Sequence, residues 1–196
     1  MKSHDIKKGI KVLGIDDGPF DIRKSKYVRI VGTVFRGNFY MEAVMSSFIE
    51  CDGMDATDKI ITMIQNSHHI RQLKCIFIDG VTMGGFNPVD INRIYDETHI
   101  PVISLTRESP DFVSIKNALV KHFDDWEERW NILNNRNLYT MNNGGVDICF
   151  LTAGVVEKDA RDMIKYATHR GGLPEALRIS HIIGAGIEKG ESGGRA

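Results

Sequence analysis

Short apolar runs of strand length open the chain, and amphipathic stretches with a helical period fill most of the rest. Residues 11–15 (KVLGI) form the first run, stopped by Asp16-Asp17-Gly18-Pro19 because glycine and proline end a ladder. Residues 27–35 (YVRIVGTVF) and 39–50 (FYMEAVMSSFIE) are two more, joined around Gly37-Asn38, a pair suited to a tight hairpin. In the second of these, Phe39, Met41, Ala43, Met45 and Ile49 share a face, which predicts that face to point inward. The period then changes. Asp55 stands where an N-cap belongs, ahead of Ile60, Ile61 and Ile64 at helical spacing. Residues 75–79 (CIFID) are an apolar strand ending on a carboxylate, 87–100 hold a short helix, and 101–106 (PVISLT) are another buried strand. Ser109-Pro110 predicts the start of a helix with Phe112, Ile115 and Leu119 inward. Trp126, Trp130 and Leu133 mark a further helical stretch. Residues 142–145 (NNGG) read as a loop and 146–154 as a strand or buried segment. Residues 158–169 read as a helix, 172–183 as a last helix opening on Pro174, and 188–196 as a disordered tail.

A strand, a hairpin and then alternating helices and strands build a mixed sheet with helices on both faces. That is the element order of the ribonuclease H-like fold: an antiparallel hairpin joined to parallel βα units with right-handed crossovers. The 196 residues, 42% of them hydrophobic, suit a single domain over 1–187 followed by the tail. No run of about 18 apolar residues predicts a membrane span, and the polar start MKSHDIKKGI lacks the apolar core of a signal peptide. Cys51, Cys75 and Cys149 lie far apart without a CxxC pair, which fits a reduced, cytoplasmic protein rather than a disulfide frame or a zinc site. The net charge of -1 decides nothing about partners, but the segment around Arg23, Lys24 and Lys26 is locally basic.

Candidate chemistry sits at strand ends. In the sheet just described, the strands over 11–15 and 75–79 are parallel neighbours, about 4.8 Å apart. Asp16 or Asp17 would then meet Asp79 at one edge. Carboxylates that close repel, and a divalent cation relieves the repulsion. Hard oxygen donors suit Mg²⁺ or Mn²⁺, which activate water and stabilise a leaving oxygen in phosphodiester cleavage. A further carboxylate is expected where the helix after the hairpin begins, from Asp52 or Asp55. Each acidic residue has a plain structural use as well: Asp55 as an N-cap, Asp52, Asp79 and Asp16-Asp17 in turns, Asp90 at a helix start. DGVTMGGFNP contains no phosphate-loop pattern, so Gly84 and Gly85 are read as letting the backbone pass close to a bound chain or another loop. His181, flanked by Leu177 and Ala185 one turn either side, fits a core histidine taken by itself. Beside a carboxylate edge it suits orienting water or ligating metal.

GIDDGPF, residues 51–57 (CDGMDAT) and DGVTMGGFNPVDI together resemble the mostly archaeal domain-of-unknown-function family 99, a family similar to endonuclease V. The resemblance runs from about Lys11 to Ile187. Against endonuclease V, Gly14-Ile15-Asp16 matches the end of the first strand and Asp79-Gly80 the third acidic position. Arg107 falls at the basic position, and LPEALRISH matches the last helix, placing His181 at the metal-site position. The resemblance implies a metal site of Asp16, Asp79 and Asp55, with Asp52 the alternative to Asp55, and Asp17 and His181 in support. Two features of endonuclease V have no counterpart: the Phe-Arg-Glu segment that supplies its second carboxylate, and the Pro-Tyr-Ile-Pro wedge beside the damaged base. The second difference makes uracil an alternative to hypoxanthine.

These readings lead to a Mg²⁺- or Mn²⁺-dependent endonuclease acting near a deaminated base in nucleic acid, DNA ahead of RNA, with neither membrane nor obligate protein partner. Arg107 and the basic segment would contact phosphates. Gly80, Gly84, Gly85, Phe86 and Asn87 would line the approach, Phe86 by stacking and Asn87 through its amide edge on a base taken out of the stack. The competing readings are a non-catalytic nucleic-acid-binding domain on the same fold and a small-molecule enzyme on a doubly wound sheet. The missing phosphate loop disfavours the last.

Overall fold

The computed structural model describes residues 9–134 and 137–193. Along the chain run β1 (Lys11–Asp17), β2 (Tyr27–Arg36), β3 (Tyr40–Glu50), α1 (Ala56–Gln65), β4 (Leu73–Asp79), β5 (Thr82–Met83) and β6 (Asn87–Pro88). There follow α2 (Ile91–Thr98), β7 (Val102–Thr106), α3 (Phe112–His122), α4 (Trp126–Asn134), β8 (Tyr139–Asn143), β9 (Val146–Ala153), α5 (Glu157–Ala167) and α6 (Glu175–Lys189). Seven strands make one sheet in the order β3-β2-β1-β4-β7-β9-β8, with β5 and β6 as a separate small ribbon. β1, β4 and β7 are parallel, and the remaining pairs of the large sheet are antiparallel. The central strands read as unbroken apolar runs because helices cover both faces. Leu13, Ile15, Ile76 and Ile78 join one core with Ile60, Ile64, Ile91 and Leu119, while Val12, Cys75 and Phe77 join a second with Met163, Ile164 and Leu177. The alternation along β1 and β4 is the period of two that a strand imposes.

One close approach fixes the geometry that matters. α6 lies directly on β1, so near that a Cβ on Gly14 would stand 2.3 Å from the Ala176 carbonyl carbon. The hydroxyl of Ser180 donates to the Gly14 carbonyl (2.8 Å) and that of Thr33 to the Ala176 carbonyl (2.7 Å). These bonds lock α6 in register with the sheet, and His181 follows Ser180.

Several expectations need correction. The Gly37 turn is present, with φ +58°, but β3 is the sheet's edge, so Phe39 and Met41 stay exposed and only Ile49 of the predicted inner face is buried. Asp111 caps α3, accepting from the Val113 and Ser114 N–H groups, so Ser109-Pro110 lies ahead of the helix rather than starting it. The expected 142–145 loop is only a two-glycine turn between β8 and β9, since β8 takes up the two asparagines. α6 runs to Lys189, ending at Gly190 in the left-handed region, so the first two residues of the expected tail are helical; residues 194–196 lie outside the described ones. The three thiols are free, and among the described residues no helix is long and apolar enough to cross a membrane.

Candidate active site

Parallel pairing of β1 with β4 sets Ile15 opposite Ile78, which brings Asp16 and Asp79 to adjacent positions at the C-terminal ends of the two strands. β1 continues through Asp17, whose side chain points to the same end. Across from them α6 presents His181. Its Nδ1 lies 2.9 Å from Asp16 Oδ2, and Asp16 Oδ1 accepts the Asp17 N–H at 2.8 Å. Asp17 Oδ2 in turn accepts the Gly84 N–H at 2.6 Å. The four side chains open onto a cavity of about 740 Å³, walled further by Phe20, Ser25, Glu188 and Lys189. That is room for a sugar-phosphate segment.

Electrostatically the group is short of positive charge. Burial, then repulsion from Asp16 and Asp17, pushes the Asp79 carboxyl up to about 7, with His181 and Arg107 pulling the other way. Burial also raises Asp17 to about 6, against the lowering effect of the Gly84 N–H. The hydrogen bond to Asp16 raises the pKa of His181, outweighing partial burial. Among the described residues, no three His, Cys, Asp or Glu side chains close around one point as a preformed metal site would. What suits a hard cation here is the chemistry: oxygen donors from Asp16, Asp17 and Asp79, in an enclosure where their charge is costly unless compensated.

The structure separates residues that the sequence reading had grouped. Asp16, Asp17, Asp79 and His181 meet, and Arg107 is close enough to act on Asp79. Asp52 and Asp55 do not line the cavity. Asp52 Oδ1 accepts the Phe86 N–H (2.8 Å), and a Cβ on Gly85 would collide with that oxygen at 2.2 Å, so glycine is needed there, at φ +94°. Asp55 precedes α1 but makes no capping bond; its Oδ1 accepts from the Glu50 N–H (3.0 Å) and the Asn87 amide (2.7 Å). Asn87 supplies the cap instead, accepting the Ala56 N–H at 2.9 Å, and is fully buried, which removes it from base reading. Phe86, half-buried, meets Phe123 in an edge-type contact with ring centroids 5.6 Å apart. Arg129 ties this knot to α4, donating to the carbonyls of Gly53 (2.9 Å) and Phe86 (2.8 Å). Gly84 and Gly85 thus serve a neighbouring loop, the second of the two uses expected of them. Asp90 caps α2 through Asn92 and Arg93. Arg23, Lys24 and Lys26 belong to the loop that walls the cavity through Phe20 and Ser25, with Lys24 paired to Asp21 at 3.4 Å. Glu188 and Lys189 were missed because they were assigned to the tail. The helical spacing His181, Ala185, Glu188 was the available signal.

The profile of the family described as endonuclease dU matches residues 8–188. The chain belongs to the endonuclease dU family. Among its relatives is a UPF0215 protein of Methanosarcina acetivorans, 47% identical over 195 residues that cover 97% of each chain. The crystal structure of a protein of unknown function from Archaeoglobus fulgidus superposes with a TM-score of 0.81 at 38% identity, covering 90% of this chain and 97% of that one. Endonuclease V of Ciona intestinalis, solved with inosine-containing DNA, gives a TM-score of 0.60 at 8% identity, covering 91% of this chain and 86% of its own. At that identity the likeness is one of fold, and the fold of this chain is ribonuclease H-like.

Proposed function

We propose that this chain is a Mg²⁺- or Mn²⁺-dependent endonuclease that hydrolyses a phosphodiester near deoxyuridine in DNA. The meeting of Asp16, Asp17 and Asp79 beside His181 in a substrate-sized cavity carries the reading; the family's description and its nucleic-acid-binding fold neighbours support it. Asp16 and Asp79 would hold the cation, with Asp17 on the Gly84 side. The cation would supply Lewis acidity at the phosphoryl oxygen and a more acidic water. Hydrolysis forms one bond from a water oxygen to phosphorus, breaks one P–O bond and protonates the leaving oxygen. His181, anchored through Nδ1 and holding its proton more tightly than a free imidazole, suits that last transfer through its other ring nitrogen. Arg107 and the loop carrying Arg23, Lys24 and Lys26 would bind flanking phosphates, so affinity should fall with salt.

That no three ligand side chains close around one point among the described residues favours one alternative, a DNA-binding domain without catalysis. The test uses labelled single- and double-stranded oligonucleotides with one deoxyuridine or deoxyinosine, in Mg²⁺, Mn²⁺ or EDTA. Metal-dependent cutting near deoxyuridine that vanishes in Asp79→Asn is the expected result. Binding without cutting under any metal would leave the binding domain.

A further inference from the structure

β3 closes the sheet on one side and has no neighbour beyond it among the described residues. The Cys51 N–H donates to the Lys26 carbonyl (3.0 Å), and these two residues continue the register in which Tyr27 faces Glu50 and Val34 faces Ala43. Hydrogen-bonded pairs alternate along an antiparallel ladder. Ala43, Met45, Ser47 and Ile49 therefore turn their backbone groups to β2, and Val44, Ser46 and Phe48 turn theirs outward. Glu50 has the same outward phase: its N–H donates to the Asp55 carboxylate (3.0 Å) and its carbonyl accepts from the Asn87 amide (2.9 Å). Those bonds end the open edge on one side. The register shift at Glu42, which has no opposite on β2, ends it on the other. Exposed edges are commonly guarded by charge or proline. Residues 43–48 (AVMSSF) have neither. Val44 and Phe48 are each 48% exposed, on the face where Thr33 and Arg29, their opposites on β2, reach α6.

We propose that this edge pairs with the same edge of a second copy, antiparallel about a twofold axis at Ser46. Ser46 faces its own copy there, and Val44 faces Phe48 on either flank. Outward residues meet only outward residues in this register, so all three find backbone partners. A twofold axis sets each charge near it against its own copy, and a strand that pairs with itself must be neutral at its centre. That is the pattern here. The nearest charge, Glu42, is held by Lys11 and Arg36. Moving the axis to Met45 would set Phe48 against Glu42. The axis stands perpendicular to the sheet and preserves its faces, so the two Val44–Phe48 pairs form one apolar cluster, a favourable β-branched and aromatic combination. Arg29 lies 4.4 Å from the Phe48 ring and covers its outer side. On the other face, a cavity of about 500 Å³ between this strand edge and Met63, Asn66 and His68 gives room for the second copy's Met45 and Ser47. The carboxylate cavity, at the ends of β1 and β4, stays open in such a dimer. The pairing is independent of the nuclease reading.

The test is sedimentation equilibrium of the full chain from low micromolar concentration upward. The wild type should reach twice the chain mass. Ser46→Lys places two ammonium groups at the axis and should raise the dimer dissociation constant by about tenfold. Ser46→Pro deletes the two central donors and should raise it by about thirtyfold. Its far-UV circular dichroism should stay that of the wild type, because the Ser46 N–H serves nothing in the single chain. Ser47→Pro, one residue on, should instead weaken the fold against urea, because that N–H bonds β2. Ser46→Cys should give a covalent dimer on mild oxidation that the wild type does not, since Cα atoms about 5.5 Å apart in a hydrogen-bonded pair lie within disulfide reach. A wild type that keeps the chain mass at every concentration, or a dimer that both Ser46→Lys and Ser46→Pro leave intact, overturns the proposal. Ser46→Pro that leaves the mass unchanged and weakens binding of a single-stranded oligonucleotide would give the edge to nucleic acid, and overturns it as well.

Discussion

The turn over residues 84–87 has acidic residues on both sides, and they are used in opposite ways. On one side Asp52 and Asp55 accept backbone and amide donors, and Arg129 holds Asp125 through two bonds of 2.7 and 3.0 Å. Those bonds keep the Asp125 carboxyl below its ordinary range. On the other side Asp17 has the Gly84 N–H, and burial and mutual repulsion push Asp17 and Asp79 to about 6 and about 7. The same side chain is thus a strut in one group and a poised charge in the other. What sets Asp17 and Asp79 apart is burial beside other carboxylates, and packing decides that. The two groups are also joined: the Asp52 N–H donates to the Gly84 carbonyl (2.8 Å), so the knot holds the turn whose N–H holds Asp17.

The comparison breaks most visibly at Asp79. Asp79→Asn should lower metal-dependent cleavage by about a thousandfold, the several kcal/mol that charge stabilisation at phosphorus supplies. The same change should raise the melting temperature of the metal-free protein at pH 8, because it removes a buried charge. Cleavage assays and thermal unfolding check both, and a variant that loses activity while melting lower would mean Asp79 is a strut after all. Next in size is the knot. Asn87→Ala strands the Ala56 N–H and takes one donor each from the Glu50 carbonyl and Asp55, and should cost about 3 kcal/mol in urea unfolding. Lost cleavage with unchanged stability would place Asn87 in the site instead.

A pH series sharpens the contrast. Carboxyls that titrate near 4 in the unfolded chain titrate at about 6 and about 7 in the fold, so the folded state binds more protons between those values. Their contribution to stability is fully present below pH about 4 and is lost as pH rises through about 7. The raised His181 has the same sign, its share going as pH climbs past its folded value. Metal-free protein should therefore melt lower at pH 8 than at pH 5, and Mn²⁺ should restore more at pH 8. An unchanged melting temperature would mean the three carboxylates already have their counter-charge. The smallest effect is at His181: His181→Gln should slow cleavage by about a hundredfold, the scale of a general acid, and flatten the pH–rate profile near neutrality. A uniform drop at every pH would assign it to positioning Asp16.

Much of the sheet was legible because its signals are local. The runs at 11–15, 75–79 and 101–106 are apolar at every step, and the change from period two to a helical period marks α1 and α6. β8 escaped because Tyr139–Asn143 is polar and earns its place only by pairing with β9. β5 and β6, two residues each, carry no pattern at all. Asp16 and Asp79 were legible as neighbours because strand ends are positions that sequence spacing defines; His181 taken by itself read as a core histidine, and the resemblance to endonuclease V is what grouped it with them. Asp52 and Asp55 were misplaced because an acidic residue beside a turn looks the same whether its oxygens face donors or a cavity. Asn87 looked available for the same reason.

The sequence by itself determined the central strands and the helices, that β1 and β4 end on carboxylates, and that the last helix carries a histidine. It could do so because hydrophobic periodicity and turn chemistry act between near neighbours. Only the tertiary structure decided which carboxylates are satisfied. That depends on donors brought from far along the chain: Gly84 to Asp17 across 67 residues, and Asn87 to Asp55 across 32. No spacing in the sequence encodes which of these long loops will close on which oxygen.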